Sequence, residues 1–304
     1  MTSLLTNTAA MVALQTLSQI SNDLNTTNNR VSTGLRIAEA RDSAAYWAIA
    51  TTTKSDNGAL GAVRDAIALG RSTLDVMYNG LDAVRENLQK MKELLVAARQ
   101  PGVNRENIQE EINGLQTDMQ NKAQASVINE QNWLEVTSGG TYNETRSVVA
   151  SFERTPGGIT ISTIDIDIDN IKLVDNNDQS GILDQDRTVG GTNTNVLAID
   201  ISALTDASAD ITTLEEMIEV VDAAMIDMIA AQNVVGVNLS RAESQESFIS
   251  ALVDANDRAV GSLVDADMEE ESTRLRALQT QQQLAVQSLS IANTSAANVL
   301  RLFQ

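Results

Sequence analysis

The sequence predicts a mainly α protein: a long antiparallel helical bundle or coiled coil formed by the N- and C-terminal halves, with a small β-rich insert in the middle. Apolar residues recur every seven positions through both halves, only 2 prolines interrupt 304 residues, and Ile alternates with Asp only near the centre. A seven-residue apolar repeat is the signature of packed helices, and a two-residue repeat that of a half-buried strand.

The first segment spaces Leu17, Leu24, Val31 and Ala38 by seven, but Ser21, Asn28 and several Thr intervene. Such a helix is weak by itself. A stronger seam begins at Leu60 and runs through Ile67, Leu74, Leu81, Leu88 and Leu95, interleaved with Val63, Gly70, Met77, Val84, Met91 and Ala98. At about 1.5 Å per residue this helix is roughly 60 Å long. Gln100-Pro101-Gly102 stops it, because proline cannot continue the hydrogen-bond ladder. Asn104 is placed to cap a second helix whose apolar face, Ile108, Ile112, Leu115 and Met119, points back toward the first.

Between 136 and 211 the pattern changes. Residues 147–152 and 159–168, joined through Thr155-Pro156-Gly157-Gly158, read as a hairpin in which Ile164, Ile166 and Ile168 alternate with Asp165, Asp167 and Asp169. DNNDQSG and TVGGTNTN read as turns, and 196–204 as one more short strand. Helical grammar then resumes. Thr212 and Glu215 have capping-box spacing, and Leu214, Val221, Met228, Val235, Ala242 and Ile249 form a seam. Two further heptad series follow, Met268, Leu275, Gln282, Leu289, Ala296, Phe303 and Leu278, Ala285, Ala292, Val299.

Counting excludes much chemistry. With no Cys and no His there is no thiolate nucleophile, imidazole base or histidine metal ligand. The net charge of −20 repels nucleic acid, and the basic residues do not cluster. Residues 1–42 and 272–304 are near neutral, whereas 141–271 carry the acidic load, so the ends suit close packing and the middle suits solvent. A monomeric bundle with a solvated acidic surface is the plainer alternative. The first basic residue is Arg30, so the opening segment lacks the basic start of a secretory signal, and no apolar run approaches 20 residues; no membrane insertion is expected.

Local motifs add little chemistry. Asp165, Asp167 and Asp169 lack the Gly and the closing carboxylate of a calcium loop, Asp175-Asn176-Asn177-Asp178 reads as a turn, and Glu269-Glu270-Glu271 reads as a solvated helix face. Gly139-Gly140 and Gly190-Gly191 lack the Lys-Ser/Thr of a phosphate loop. No cofactor or metal is expected, and an enzyme working through carboxylates alone has no motif to support it.

Specific strings carry a family resemblance. RVSTGLRIAEARDSAAYWAIA, with Arg30, Ser32, Gly34, Arg36, Ile37, Asp42, Ala44 and Ala45, resembles the N-terminal signature of bacterial flagellins. TQQQLAVQSLSIANTSAANVLRLF, with Gln281, Gln282 and Asn293, resembles their C-terminal signature. Three places depart from the pattern: Tyr46-Trp47 stand for Gly-Leu, Ile128-Asn129-Glu130 for Phe-Asn-Gly, and Val234-Val235 for Arg-Leu.

The resemblance implies residues 1–42 and 262–304 as the two parts of an inner coiled coil, 43–135 and 212–261 as the two parts of a helical core domain, and 136–211 as a variable insert. It implies inner packing and polymerisation through Leu14, Leu17, Leu24, Val31, Leu275, Leu278, Leu289, Ala292 and Val299. It implies a secreted subunit of the extracellular flagellar filament, exported unfolded through the flagellar type III apparatus. The implied partners are other flagellin copies, paralogues included, an export chaperone, the hook-filament junction protein and the filament cap. The junction protein itself, which has similar ends, is the alternative. Gln89, Lys90, Glu93 and Leu94 resemble a stretch that an animal innate immune receptor recognises in some flagellins, with Lys90 in place of Arg; a planar guanidinium is not replaced by an ammonium without loss, so weak activation is expected.

Overall fold

The computed structural model describes residues 7–140, 142–155 and 158–301, with side chains described as far as residue 294. Five helices follow the predicted order: α1 Thr8–Thr33, α2 Ala44–Ala98, α3 Arg105–Ala125, α4 Ser208–Val264 and α5 Met268–Arg301. Between α3 and α4 lie the short strands β1 Val127–Ile128, β2 Gln131–Asn132 and β3 Glu135–Val136, the long pair β4 Thr145–Thr155 and β5 Gly158–Asp167, then β6 Val174–Asp175, β7 Arg187–Val189 and β8 Thr192–Thr194. The chain divides into two compact units, Met1–Gly58 with Val253–Gln304, and Ala59–Leu252.

In the unit Ala59–Leu252 the heptad seams are the core. Ile67, Leu74, Met77, Leu81, Val84, Leu88, Met91, Leu95 and Ala98 of α2 are fully buried, as are Val221, Met228, Val235 and Ala242 of α4. The two helices run antiparallel, with Arg99 to Glu215, Lys92 to Asp222, Gln232 to Asp82 (3.2 Å) and Arg71 to Glu246 (3.1 Å) as successive polar rungs beside the seam. By length and composition α4 would also suit a membrane span, yet its seam is buried within the protein.

Helix α2 starts at Ala44, well before the seam at Leu60. Helix α4 starts at Ser208, so the expected cap at Thr212 is corrected: the Thr212 hydroxyl donates to the Ser208 carbonyl inside the helix at 3.0 Å. The start is organised instead by Asp210, whose carboxylate accepts the Thr205 N–H at 2.8 Å and the Thr205 hydroxyl.

Asn104 caps α3 as expected, its side-chain oxygen accepting from the N–H groups of Glu106 (3.0 Å) and Asn107 (3.2 Å). The inward face is not purely apolar, however. Ile112 and Met119 are buried, but Gln109 and Gln116 alternate with them on the same buried face, and Ile108 and Leu115 are half-buried. These glutamines explain a second correction, because 196–204 forms a single 3-10 turn at Val196–Ala198 and no strand. Gln116 Nε2 donates to the carbonyls of Val196 (3.0 Å) and Ile199 (3.1 Å). Gln109 accepts the Ile201 N–H at 2.9 Å and donates to the Ile199 carbonyl at 3.2 Å. Side chains thus satisfy a buried backbone that would otherwise need a strand partner.

The β4–β5 hairpin is antiparallel, with Val148 opposite Ile164 and a bulge between Val149 and Ser151. Ile164, Ile166 and Ile168 are buried and the intervening aspartates exposed, as the alternation requires. The Pro156-Gly157 turn lies outside the described residues. Asp175 corrects the reading of its segment as a plain turn. It lies in β6, which pairs in parallel with β3, and it is fully buried. Its carboxylate accepts from Lys172 Nζ (2.9 Å), the Ser138 N–H (2.9 Å) and the Asn177 N–H (3.1 Å). Lys172, itself buried, also pairs with Asp169 at 3.0 Å and lies 5.9 Å from the Tyr142 ring centre. Burial alone would raise the Asp175 carboxyl, but the Ser138 N–H and the Lys172 ammonium hold it well below the carboxylate range. Burial and the Asp169 charge push the Tyr142 phenol up to about 12.

Candidate assembly surface

In the unit Met1–Gly58 with Val253–Gln304, α1 and α5 pack side by side and antiparallel. Asn7 sets one end: its side-chain oxygen accepts the Ala10 N–H at 3.1 Å, capping α1, while its amide donates to the Ala292 carbonyl at 3.1 Å. Toward the other end the Arg30 guanidinium meets the Glu271 carboxylate at 2.9 Å.

The signature residues build the turn after α1. Gly34 takes φ +71°, a left-handed conformation that glycine adopts without a Cβ clash, and its N–H closes on the Arg30 carbonyl at 2.8 Å. The chain then runs beside the end of α4, with the Arg36 and Ile37 N–H groups donating to the Val264 carbonyl (2.7 and 3.2 Å) and the Arg36 guanidinium to the Leu263 carbonyl (2.8 Å). Ile37 is buried with Ala50, Val260 and Val264. Asp42 accepts from the N–H groups of Glu39 (3.1 Å) and Ala38 (3.0 Å), which lower its pKa. Ser32, Ala44, Ala45, Gln281 and Asn293 are exposed, and Gln282 is half-buried.

Between the two ends runs the predicted seam. Leu278 is buried, and Leu17, Leu24, Val31, Leu275, Leu289 and Ala292 are half-buried. Leu14 lies off this seam, exposed in the single chain, and the Val299 side chain lies outside the described residues. The contrast with the α2 and α4 seams is one of burial: those seam residues are fully buried within one chain, whereas the α1–α5 seam stays mostly half-buried, because two helices alone cannot enclose their apolar faces. Met11, Val12 and Leu14 on α1, and Leu284, Val286 and Ile291 on α5, are each more than half exposed. Apolar surface left exposed beside a half-buried seam is what an interface covers.

Glu271 corrects the reading of Glu269-Glu270-Glu271 as a solvated face. It is buried between the helices, with Arg274 also 3.8 Å away, and its Oε2 has no hydrogen-bond partner. Sequence reasoning missed the pair with Arg30 because 241 positions separate the residues and each alone resembles an ordinary surface charge.

The helix divides residues 89, 90, 93 and 94, the stretch expected from resemblance as a receptor surface. Gln89 and Glu93, 3.4 Å apart, line a groove of α2 and α4 with Val96, Met225 and Ile229. Lys90 is exposed, and Leu94 is half-buried.

Comparison with known proteins finds a family match in each half of the chain. Residues 4–138 match the bacterial flagellin N-terminal helical region, and residues 218–303 the bacterial flagellin C-terminal helical region. The chain is 44% identical to Flagellin C of Rhizobium meliloti, with 100% of both chains covered. It is 37% identical to a flagellin of Brucella melitensis, again over 100% of each. A solved structure described as a putative flagellar hook-associated protein from Vibrio parahaemolyticus superposes with a TM-score of 0.49, at 16% identity, over 74% of this chain and 100% of that one; so low a similarity carries no argument.

Proposed function

We propose, from the premise that this chain belongs to the bacterial flagellin family, that it is the structural subunit of a flagellar filament and serves motility by self-assembly. The observation that carries the mechanism is the α1–α5 pair with its unburied apolar faces. Each exposed Å² of apolar surface is unfavourable by about 25 cal/mol, so polymerisation gains free energy by burying these faces among copies. A head-to-tail interface that does not close into a ring gives open helical growth.

The finer steps are part of the same proposal. Subunits leave unfolded through the flagellar type III apparatus, accompanied by a chaperone on the C-terminal segment. They fold beneath the filament cap, above the hook-filament junction protein, and join copies of themselves and of paralogous flagellins outside the cell. The polar interruptions of α1 support this order of events, since a helix that is weak alone gains its partner only late. The inner packing residues are Leu14, Leu17, Leu24, Val31, Leu275, Leu278, Leu289, Ala292 and Val299.

Electron microscopy of purified chain seeded with filament fragments tests the reading, comparing the intact protein with one lacking residues 1–30. Long filaments from the intact chain only are expected. Short rings would point to the junction protein, and no growth from a folded chain would reject assembly.

A further inference from the structure

Residues 44–49, the first turn and a half of α2, read AAYWAI. No side chain among them is charged, yet all six residues are exposed, and only the next residue, Ala50, turns inward against Ile37, Val260 and Val264. Tyr46 is 48% exposed, Trp47 38% and Ile49 52%. The chain's other tryptophan, Trp133, is 5% exposed. Leaving two large aromatics and an isoleucine together in water is costly, and Tyr and Trp are the side chains that most often anchor interfaces. These two stand where the flagellin pattern has Gly-Leu.

We infer that Tyr46 and Trp47 form a docking patch for a second copy of this chain. The inference rests on the filament reading and adds to it a specific contact outside the α1–α5 seam. A second copy fits for two reasons. The patch belongs to the same compact unit as the exposed apolar residues of α1 and α5, the unit that the filament reading brings against other copies. Its chemistry also matches theirs: residues 272–304 carry no acidic side chain, and exposed apolar residues such as Leu284 and Ile291, seven apart and so on one face of α5, meet an aromatic patch without leaving a charge unpaired.

Tryptophan fluorescence reads the contact directly. The intact chain and its Trp47→Phe variant are compared as monomer and as seeded filament, with acrylamide as quencher; the difference isolates Trp47 without disturbing Trp133. The quenching constant of Trp47 is expected to fall about threefold or more on polymerisation, with a blue-shifted emission. Tyr46→Ala with Trp47→Ala should keep the monomer's circular dichroism and raise the critical concentration for growth about tenfold or more, the effect of losing one aromatic anchor. Normal filaments in which Trp47 stays as quenchable as in the monomer would overturn the patch and leave the filament reading standing. Protection of Trp47 only on adding the export chaperone or junction protein would likewise overturn it. Failure of the intact chain to polymerise would instead reject the filament reading itself.

Discussion

Val148 of the hairpin stands directly over Gly70 of α2: a Cβ built on Gly70 would lie 2.1 Å from Val148 Cγ1. Gly70 occupies a core position of a heptad seam in which every neighbour is larger, and the missing side chain is the seat of the β4–β5 hairpin. In a free helix Gly→Ala gains roughly 0.5–1 kcal/mol. Here overpacking reverses the sign, and Gly70→Ala is expected to destabilise by about 1–3 kcal/mol in urea titration. Adding Val148→Ala should recover most of the loss. A stabilised single variant would show that the hairpin does not seat there.

The turn between β1 and β2 keeps two residues in the left-handed region, Asn129 at φ +50° and Glu130 at φ +63°. Two positive φ values match the hairpin turn that favours Asn-Gly, so Glu130 carries a strain that glycine would not. Glu130→Gly is therefore expected to stabilise the unit Ala59–Leu252 by about 0.5–1 kcal/mol, the reverse of the usual penalty for adding glycine. Thermal denaturation of both chains decides it.

The Lys172–Asp175 pair sets a pH dependence of known sign. The folded Asp175 carboxyl is depressed, so its contribution is complete above its unfolded value of about 3.9 and is lost as pH falls through the lower folded value. For Lys172, burial alone would lower the pKa, but Asp175 and Asp169 hold it above the usual lysine value, so its contribution is lost only as pH rises past that range. Burial raises Asp184, which works in the opposite sense at acid pH. Asp175→Asn leaves a buried ammonium with Asp169 alone and is expected to cost about 3–5 kcal/mol at pH 7. Its melting temperature should also fall less than the parent's between pH 4 and 2. A loss under about 1 kcal/mol at pH 7 would contradict this.

Ala292 receives the Asn7 side chain on its carbonyl and sits half-buried at the close end of the α1–α5 pair. Ala292→Leu is expected to abolish seeded filament growth while leaving the melting of the unit Ala59–Leu252 unchanged. Normal filaments from this variant would reject the placement of Ala292 in the packing surface.

Lys90, exposed on α2, stands where the stretch that Gln89, Lys90, Glu93 and Leu94 resemble has Arg. Purified monomer should activate receptor-expressing cells weakly, and Lys90→Arg should raise the response. Strong activation by the parent chain would contradict the reading.

The parts legible in advance were those encoded by repetition. Seven-residue spacing located α2 and the buried α4 seam, Asn104 announced the start of α3, and Ile-Asp alternation separated the buried and exposed faces of β5. The same spacing runs through α1 and α5, where Leu278 is buried and Leu17 and Leu24 are half-buried. The misread parts depend on groups far apart in the chain. Residues 196–204 look like a strand until Gln109 and Gln116 take up their backbone groups, and Glu271 looks solvated until Arg30 arrives.

By itself, then, the sequence determined the helical framework, the family and which faces are apolar, because periodicity is a local property that any helix or strand must express. Only the tertiary structure decided which of those faces a single chain can close. The α2 and α4 seams are fully buried within Ala59–Leu252, whereas Leu17, Leu24, Val31, Leu275 and Leu289 of the α1–α5 seam stay half-buried. Burial depends on how much surface converges on a site, and two helices offer too little to cover one another.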